Sequence, residues 1–355
     1  MQLWLVVVVI SLAFSIPVLL LSYYWLFLFA NSLRYPKNLA SEDLQPSRFP
    51  LVSILIASFN EKFVMERTLD AIKGLDYPRS KLQVVIADDS TDDTRLVIDS
   101  KIEELKRFGI RALVSRRATR ENFKQGALNK SMDLVEGEYV LLLDADSTVT
   151  PKVLTKGLAV LESHQSAAFV SFRVGHYNRN QNLITRIYAL SLDMGDMVMK
   201  MGSYIVNTPF SFQGGFTLVS ARDLRQVGLW SNERMADDAD ISIKLYLAGK
   251  RGIYLSNVRV MSEDPPTLEA WKKQAARTSQ GWTRCVSKYW NYILRCPNIS
   301  LPRRFAMLLM MIAPFSSLSW IIVTFVSAVS IVFGLVPPAN SIFSNPLYVA
   351  AMGLP

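Results

Sequence analysis

Short apolar runs alternate with helix-like segments between residues 51 and 144. The predicted strands are Leu51–Ala57, Leu82–Ala87, the shorter Arg111–Ser115, and the run that ends at Asp144. Continuous apolar runs of this length are typical of strands buried in a mostly parallel sheet. The alternation predicts βαβ units with right-handed crossovers, and hence a Rossmann-like α/β fold. The intervening helices are predicted from Asn60 (as N-cap) through Ala71, from Asp92–Asp93 onward, and from Gly126 to about Val135.

The pattern is less regular after residue 150. Helices are predicted at Pro151–Glu162 and Asn180–Met201, a strand at Ala167–Val174, and another helix from Asp237. Trp271–Trp282 is amphipathic and basic, with aromatic residues interspersed. Such a segment is typical of a helix that lies in the membrane interface. The alternative is a core helix whose aromatic side chains face the domain.

Two longer apolar segments flank this region. Leu3–Ala30 contains no charged residue and exceeds the ~20 residues that a helix needs to cross a bilayer. A cleaved signal peptide is the alternative, but the segment lacks a basic start and a small-residue cleavage site. Phe305–Val336, which contains Pro314, is long enough for one span with an interfacial lead-in. One interpretation of the shorter apolar stretch Ile342–Pro355 is that it begins a third helix.

Basic residues cluster on one side of both apolar segments. Arg34 and Lys37 follow the first segment, and Arg303 and Arg304 precede the second. By the positive-inside rule, the region between them is cytoplasmic and the N-terminus is outside. We therefore expect an integral protein of the cell membrane. Its predicted parts are an N-terminal transmembrane helix (1–33), a cytoplasmic α/β domain (34–262), amphipathic helices (263–303) and a C-terminal transmembrane region (304–355).

The net charge of the chain bears on its partners. The formal net charge is +9 at pH 7. Nucleic acid could attract such a charge, but an anionic membrane leaflet and a nucleotide diphosphate explain it more simply in a membrane-bound chain. We therefore expect the membrane, and no nucleic acid, among the partners.

The candidate chemistry begins at the segment LLLDADS, residues 141–147. Asp144 and Asp146 follow a predicted buried strand, at the strand end where open α/β sheets bind ligands. A buried carboxylate without a counter-charge is too costly to be a packing residue. Oxygen ligands suit a hard divalent cation, and Mg²⁺ or Mn²⁺ is typically held by one or two carboxylates plus substrate phosphates. The alternative is an acidic turn in solvent.

Other polar residues are predicted at the same edge of the sheet. They are Asn60-Glu61 after the first strand and Asp88-Asp89 after the second. No G-x-G-x-x-G follows the first strand, so a dinucleotide cofactor is not expected. Asp237, Asp238 and Asp240 open a helix, where the dipole alone favours acids, although one of them could be a catalytic base. Gly214-Gly215 indicates a close backbone approach or an ordinary loop.

In this order and spacing, the motifs resemble those of a known family. The matching residues are Asn60-Glu61, Asp88-Asp89-Ser90, Phe123-Lys124, Asp144-Ala145-Asp146, Phe212-Gln213-Gly214-Gly215, Asp237-Asp238 and Gln274-x-x-Arg277. The chain from Leu51 to Trp282 resembles the inverting family 2 glycosyltransferases with a GT-A fold, in their membrane-bound cellulose-synthase-like branch. Ala87–Asp92, Thr185-Arg186 and Ser191–Asp193 look most like the mannan-synthase-like members, which use GDP-mannose.

The resemblance implies a role for each motif. Asn60, Glu61, Asp88 and Asp89 would hold the base and ribose of the sugar nucleotide. Lys124 would approach the diphosphate, Asp144 would contact the ribose or sugar, and Asp146 would bind Mn²⁺ or Mg²⁺. Asp238 would be the general base. Gln274 and Arg277 would lie on a gating helix over the diphosphate and acceptor, and the predicted acceptor residues are Gly214, Gly215, Asp237 and Trp282.

Two departures from the family pattern shape the expected activity. The T-E-D motif is Ala236-Asp237-Asp238, which keeps the final acid. The Q-x-x-R-W motif ends in Thr278 instead of the tryptophan that stacks on a growing polymer, and Trp282, one helical turn later, is the candidate substitute. We therefore expect non-processive transfer to a membrane-presented acceptor such as a polyprenyl-linked glycan. A processive β-glycan synthase and a catalytically inactive nucleotide-binding membrane protein are the alternatives.

Overall fold

Eight strands form one mixed sheet in the part of the chain that the structure describes. The structure is a computed structural model, and it describes residues 3–36, 39, 44–232 and 235–333. The strands are β1 (Val52–Ser58), β2 (Leu82–Asp88), β3 (Arg111–Arg116), β4 (Tyr139–Asp144), β5 (Thr148–Val149), β6 (Ala167–His176), β7 (Thr217–Ser220) and β8 (Arg251–Ser262). Their order across the sheet is β3-β2-β1-β4-β7-β6-β8-β5.

Twelve α-helices accompany this sheet in the described ranges. They are α1 (Leu3–Ser32), α2 (Lys62–Lys73), α3 (Thr94–Arg107), α4 (Phe123–Ser131), α5 (Val153–Ser163), α6 (Leu183–Met194), α7 (Met201–Ile205), α8 (Ala221–Gln226), α9 (Asp237–Leu247), α10 (Leu268–Arg295), α11 (Leu301–Ile312) and α12 (Ser316–Val332).

The first half of the sheet is the predicted parallel unit. The strands β3, β2, β1 and β4 are parallel neighbours, and Ser58 pairs with Asp88 while Ala57 pairs with Asp144. This register brings the polar residues that follow β1, β2 and β4 to one edge, which we call the carboxyl edge. The predicted α/β fold and the predicted shared edge are therefore confirmed.

The second half of the sheet contains pairings that the sequence pattern did not predict. The strand β7 pairs antiparallel with both β4 and β6, and β8 pairs parallel with β6 and antiparallel with β5. Because β7 reverses direction between two strands, β4 and β6 point the same way. The carboxyl ends of β6 and β8 therefore lie at the same edge as Asp144.

Alternating side chains of the strands fill two cores, one on each face. In β1, Ile54 and Ile56 pack with α2, α3 and α5, whereas Leu55 packs with α4, α9 and α10. All three are at least 99% buried. Apolar surface removed from water contributes roughly 25 cal/mol per Å², so burial on both faces explains why β1 is apolar without interruption.

Two predicted helix boundaries need correction. Asn60 is not the N-cap of α2, because it has a left-handed backbone (φ 59°) and the cap position is Glu61. The Asn60 side chain instead accepts a hydrogen bond from the Thr91 amide at 2.9 Å, which ties the β1 and β2 loops together. The helix predicted at Asn180–Met201 begins at Leu183, with Asn182 as its cap, and passes through a π-helical turn at Gly195–Lys200.

The apolar segments form helices with different relations to the domain. Val9–Ser32 of α1 is long and apolar enough to cross a membrane. The second segment is not one straight helix, because Leu301–Phe315 and Leu318–Val332 meet at an angle of 62°, next to Pro314. In the described ranges this gives one candidate span, or two if the bent pair counts as one. The predicted start of a third helix, Ile342–Pro355, lies outside the described residues.

The two halves of the helix α10 differ in burial. Its first half is largely exposed, with Trp271 and Gln274 half-buried and Arg277 exposed. Its second half packs on the core through Gly281, Cys285, Tyr289 and Ile293. The helix is therefore anchored at its carboxyl end and extends beside the carboxyl edge of the sheet at its amino end.

Candidate active site

Carboxylates from two elements converge on a lysine from a third at the carboxyl edge. Asp144 ends β4, Asp237 and Asp238 begin α9, and Lys124 lies in the first turn of α4. The amine of Lys124 is 2.8 Å from Asp144 Oδ1 and 2.7 Å from Asp237 Oδ2. Burial disfavours the charge on this amine, but the two carboxylates outweigh burial and raise the pKa of Lys124. The lysine therefore stays charged and fixes the separation of β4 from α9.

Gly214 and Gly215 complete the walls of this cluster. A Cβ atom at Gly215 would lie 2.6 Å from Asp144 Oδ2, and one at Gly214 would lie 3.2 Å from Asp237 Oδ2. Any side chain at Gly215 would therefore displace Asp144. The backbone of these two glycines therefore approaches the carboxylates of the site closely, as one interpretation of the sequence predicted, and this approach explains why glycine is needed here.

Asp238 differs from Asp237 in its surroundings. Asp237 is paired with Lys124, which lowers its pKa against the opposing effect of burial. Asp238 has no ion pair among the described residues, and apolar side chains such as Leu142, Phe212 and Trp230 line the recess in which it lies. Burial first and the Asp237 charge second raise the pKa of Asp238 to about 7. The group can thus exchange a proton near neutral pH, as a general base must.

Asp146 and Glu61 form a second acidic group beside the first. Burial and the neighbouring Asp144 raise the pKa of Asp146 to about 6. Its closest hydrogen-bond partner is the Ser147 hydroxyl at 3.3 Å. Burial, Asp146 and Asp144 also raise the pKa of Glu61, while Arg277 opposes the increase. These carboxylates repel one another, and Asp146 forms no ion pair with a side chain in the described part of the chain, although Lys124 partly offsets the rise in its pKa.

The chemistry of this group fits a divalent cation that binds with a substrate. Carboxylate oxygens suit Mg²⁺ or Mn²⁺, which usually takes its remaining ligands from phosphates and water. Within the described ranges, no three His, Cys, Asp or Glu side chains are arranged as a complete metal site. Asp146 could therefore hold a cation only together with other ligands, which a bound diphosphate would supply.

The predicted base-binding residues are engaged by arginines that the sequence analysis missed. Asp88 is fully buried and 2.8 Å from Arg116 Nε, and Asp89 pairs with Arg117. The Arg120 guanidinium stacks on the Phe59 ring at 3.2 Å. The basic loop that contains these arginines was visible in the sequence. No spacing rule, however, indicated which carboxylate each arginine would meet.

The helix α10 brings Gln274 and Arg277 to the site. Arg277 lies close enough to Glu61 and Asp237 to stabilise their ionised forms. Gln274 interacts with the Tyr188 hydroxyl of α6. A Cβ at Gly281 would lie 2.5 Å from the Ala236 backbone nitrogen, so this glycine lets α10 pack directly against the start of α9. Trp282, predicted at the acceptor, is half-buried against the core.

A buried hydrogen-bonded pair that the sequence analysis did not single out lies at the ends of β6 and β8. His176 Nδ1 is 2.9 Å from Asp264 Oδ1, and both side chains are at least 97% buried. Arg67 joins this region to the site, because it pairs with Glu263 at 3.1 Å and stacks on Tyr177. These contacts hold the segment that leads into α10.

Comparison with known proteins agrees with this architecture. The family described as glycosyl transferase family group 2 matches residues 139–337, which is more than half of the chain, and glycosyl transferase family 2 matches residues 53–217. The chain belongs to the family 2 glycosyltransferases, and the resemblance inferred from its motifs is confirmed.

Curated relatives include plant enzymes. Glucomannan 4-beta-mannosyltransferase 1 of Oryza sativa subsp. japonica is 30% identical over 263 residues, which is 73% of this chain and 50% of the relative. Glucomannan 4-beta-mannosyltransferase 2 of Arabidopsis thaliana is 29% identical over 244 residues, 68% of this chain and 46% of the relative. The chain thus spans about half the length of these relatives.

Two solved structures share the fold. A mannosyltransferase, PcManGT from Pyrobaculum calidifontis, in complex with GDP-Man and Mn²⁺, superposes with a TM-score of 0.66 at 20% identity, covering 99% of this chain and 97% of that one. S. aureus TarS 1-349 in complex with UDP-GlcNAc gives a TM-score of 0.53 at 16% identity, covering 86% and 81%. At these identities the likeness concerns the fold alone.

Proposed function

We propose that this glycosyltransferase is membrane-bound and inverting, and that it transfers mannose from GDP-mannose to a polyprenyl-linked glycan. The observation that carries the proposal is the arrangement of Asp238, Lys124 and Asp146 at the carboxyl edge. Asp238 has a pKa near neutrality, the amine of Lys124 is fixed by Asp144 and Asp237, and Asp146 forms no ion pair among the described residues. These are a base, a partner for phosphate and a ligand for metal.

Asp238 is the proposed general base, and Asp237 is assigned to positioning. A base must be unprotonated and free to accept a proton, whereas Asp237 is already paired with Lys124. Asp238 accepts the proton of the acceptor hydroxyl as its oxygen attacks the anomeric carbon. The nucleoside diphosphate leaves from the opposite face. Because a single in-line displacement inverts the anomeric centre, an α-linked donor gives a β-linked product.

The leaving diphosphate needs positive charge, and this is usually the largest contribution in such sites. Lys124 is positioned by Asp144 and Asp237, and Arg277 approaches from α10. A divalent cation held by Asp146, Mn²⁺ or Mg²⁺, would act as a Lewis acid on the phosphate oxygens. The base and ribose would lie between the β1 and β2 loops, near Asn60, Glu61, Asp88 and Asp89, with Gln274 beside the diphosphate.

Two kinds of similarity support mannose and GDP as the donor groups. The named plant relatives are mannosyltransferases, and the solved mannosyltransferase of similar fold carries GDP-Man and Mn²⁺. The same fold in TarS accommodates UDP-GlcNAc, so the fold alone does not select the nucleotide. The Arg120–Phe59 stack beside the β1 loop offers a flat surface for a purine.

The flanking helices support the proposed attachment to the membrane. In this proposal α1 spans the membrane with its N-terminus outside, α10 and the start of α11 lie at the cytoplasmic surface, and the catalytic domain faces the cytoplasm. The lipid-linked acceptor would reach Gly214 and Gly215 from the membrane, beside Trp282. Thr278 provides no aromatic surface on which a growing polymer could stack, which favours a single transfer.

The test is transfer of labelled mannose from GDP-mannose to a membrane extract or a synthetic polyprenyl-linked glycan by the detergent-purified protein. We expect one added residue, β-linked by NMR. A ladder of products would support the processive alternative, and Thr278→Trp should then lengthen it. No transfer from GDP-mannose, together with transfer from UDP-glucose or UDP-N-acetylglucosamine, would overturn the donor assignment.

A further inference from the structure

A second cavity lies at the edge of the sheet opposite the active site. It is bounded by Ala167 at the start of β6, Arg251 at the start of β8, Thr208 after α7, and Arg303 in α11. The ten residues of β6 extend about 30 Å at roughly 3.3 Å per residue, and they separate this cavity from the carboxyl edge. We call it the amino-edge cavity. It shares no residue with the lining of the catalytic recess.

The amino-edge cavity has an excess of positive charge. Lys250 is neutralised by Asp223 at 2.6 Å. Arg303 Nε donates a hydrogen bond to the Asn207 carbonyl at 3.0 Å. Neither Arg251 nor Arg303 forms an ion pair with a carboxylate in the described part of the chain, and the two guanidinium groups repel each other. An anion between them would remove that repulsion.

The position of the cavity relative to the membrane follows from α1. The Tyr24 hydroxyl donates to Thr208 Oγ1 at 3.2 Å, so the wall of the cavity is at the level of Tyr24 on this helix. Tyr23 and Trp25 are exposed there, as aromatic residues at a membrane interface are. From Leu3 to Ser22, about twenty residues rise about 30 Å, the thickness of the hydrocarbon core.

We propose that the amino-edge cavity binds the phosphate of an anionic membrane lipid through Arg251 and Arg303. This inference rests on the membrane placement in the proposed function. Arginine recognises phosphate through paired N–H groups, and basic pockets on the cytoplasmic side of membrane helices suit lipid head groups. The bound lipid would connect α11 and the sheet beside α1, and so fix the catalytic domain against the membrane surface.

The chain offers a matched set of variants. Arg251→Gln and Arg303→Gln remove the two charges, and Arg222→Gln removes one from an exposed position on α8 as a control. Arg251→Lys with Arg303→Lys keeps the charge but loses paired recognition. Arg251 is itself exposed, so Arg251→Gln alone should fold even if the double change does not.

The experiment measures the unfolding temperature of the full chain in detergent with phosphatidylglycerol, phosphatidylcholine or inorganic phosphate. We expect phosphatidylglycerol to raise it by at least about 3 °C, and phosphatidylcholine and phosphate to have little effect. The double glutamine variant should lose most of this increase, Arg251→Gln a part of it, and Arg222→Gln none. Native mass spectrometry should show one retained phosphatidylglycerol in the wild type and less in the variants.

Two results would overturn the inference. One is an equal phosphatidylglycerol effect in the wild type and in the glutamine variants. The other is an equal stabilisation by inorganic phosphate, which would indicate a site for a free anion. Stabilisation by GDP with Mn²⁺ is measured on the same samples. If GDP with Mn²⁺ does not stabilise the wild type, the proposed function is contradicted, whereas the phosphatidylglycerol measurement tests the lipid site alone.

Discussion

The two edges of the sheet differ in the sign of their excess charge. At the carboxyl edge, Asp144 and Asp237 pair with the amine of Lys124, and the neighbouring Asp146 and Asp238 have raised pKa values. At the amino edge, Arg251 and Arg303 line a cavity without a carboxylate partner in the described chain. The carboxylates of the first edge suit a divalent cation and a general base, and the arginines of the second edge suit a bound anion.

This difference separates chemistry from attachment within one fold. Asp144 and Asp146 follow a parallel strand, as expected for open α/β sheets, and the start of α9 adds Asp237 and Asp238. The opposite edge contacts α1 and α11, whose sequences favour the membrane. Changes at the carboxyl edge should therefore alter transfer and donor binding, whereas changes at the amino edge should alter only the response to lipids.

The largest effect is expected for Asp238→Asn. Loss of the base should reduce the transfer rate by about 10²- to 10⁴-fold, while GDP binding stays nearly unchanged. Single-turnover transfer and GDP titration measure the two quantities. Asp133→Asn, at an exposed residue paired with Lys130, is the matched control. Wild-type activity in Asp238→Asn would assign the base elsewhere.

A smaller loss is expected for Arg277→Ala. Arg277 is exposed on the amino-terminal half of α10, and in the proposal it neutralises the leaving diphosphate. We expect the transfer rate to fall about 10- to 100-fold with little change in the unfolding temperature. Lys272→Ala on the same exposed half of α10 is the control. Equal losses in the two variants would indicate that the net positive charge of α10 matters and that Arg277 has no specific role.

The close approach at Gly215 gives a graded test of the site geometry. An added methyl at Gly215 meets Asp144 at 2.6 Å, one at Gly214 meets Asp237 at 3.2 Å, and one at Gly195 meets nothing within 4 Å. Alanine at Gly215 should reduce transfer about tenfold, because misplaced groups lose catalytic alignment. Alanine at Gly214 should have a weaker effect, and at Gly195 none. Steady-state kinetics would contradict the geometry if the order were reversed.

The smallest effect is on stability. The pKa of Asp238 is 3.8 for the unperturbed group and about 7 in the folded chain. The folded state keeps a proton that the unfolded state loses, so stability falls as pH rises from about 4 to 7. Asparagine does not ionise, so Asp238→Asn should avoid this fall in stability. We expect it to raise the unfolding temperature by about 2–4 °C at pH 8 and less at pH 5. If the variant and the wild type differed in unfolding temperature by the same amount at pH 5 and pH 8, the raised pKa of Asp238 would be contradicted.

The sequence was most informative where a strand is buried on both faces. Runs such as LVSILIA and VLLLD are typical of core strands, and the carboxyl ends of parallel strands share one edge, so Asp88 and Asp144 were placed at one edge correctly. The strands β5, β7 and β8 were missed. The first two have two and four residues, which is too short for a pattern, and β8 carries arginines at exposed positions and an irregular register.

Residue pairings were beyond the reach of sequence patterns. The acids of the site were recognised by their motifs, but their partners depend on tertiary contacts. The Arg116–Asp88 and Arg117–Asp89 pairs and the Asn60–Thr91 link join loops from different strands. The π-helical turn at Gly195–Lys200 contains Asp196, whose carboxylate accepts a hydrogen bond from the Val174 amide at 2.9 Å. No local propensity indicates such a contact.

The central claim is that the carboxyl edge binds a sugar nucleotide together with a divalent cation. The most direct measurement is thermal stabilisation of the purified protein by GDP, with Mn²⁺ or with EDTA, in the wild type and in Asp146→Asn. Ligand binding to the folded state raises its apparent stability. The account predicts a large increase only with GDP and Mn²⁺ together, and its loss in Asp146→Asn. Equal stabilisation with EDTA, or in the variant, would contradict it.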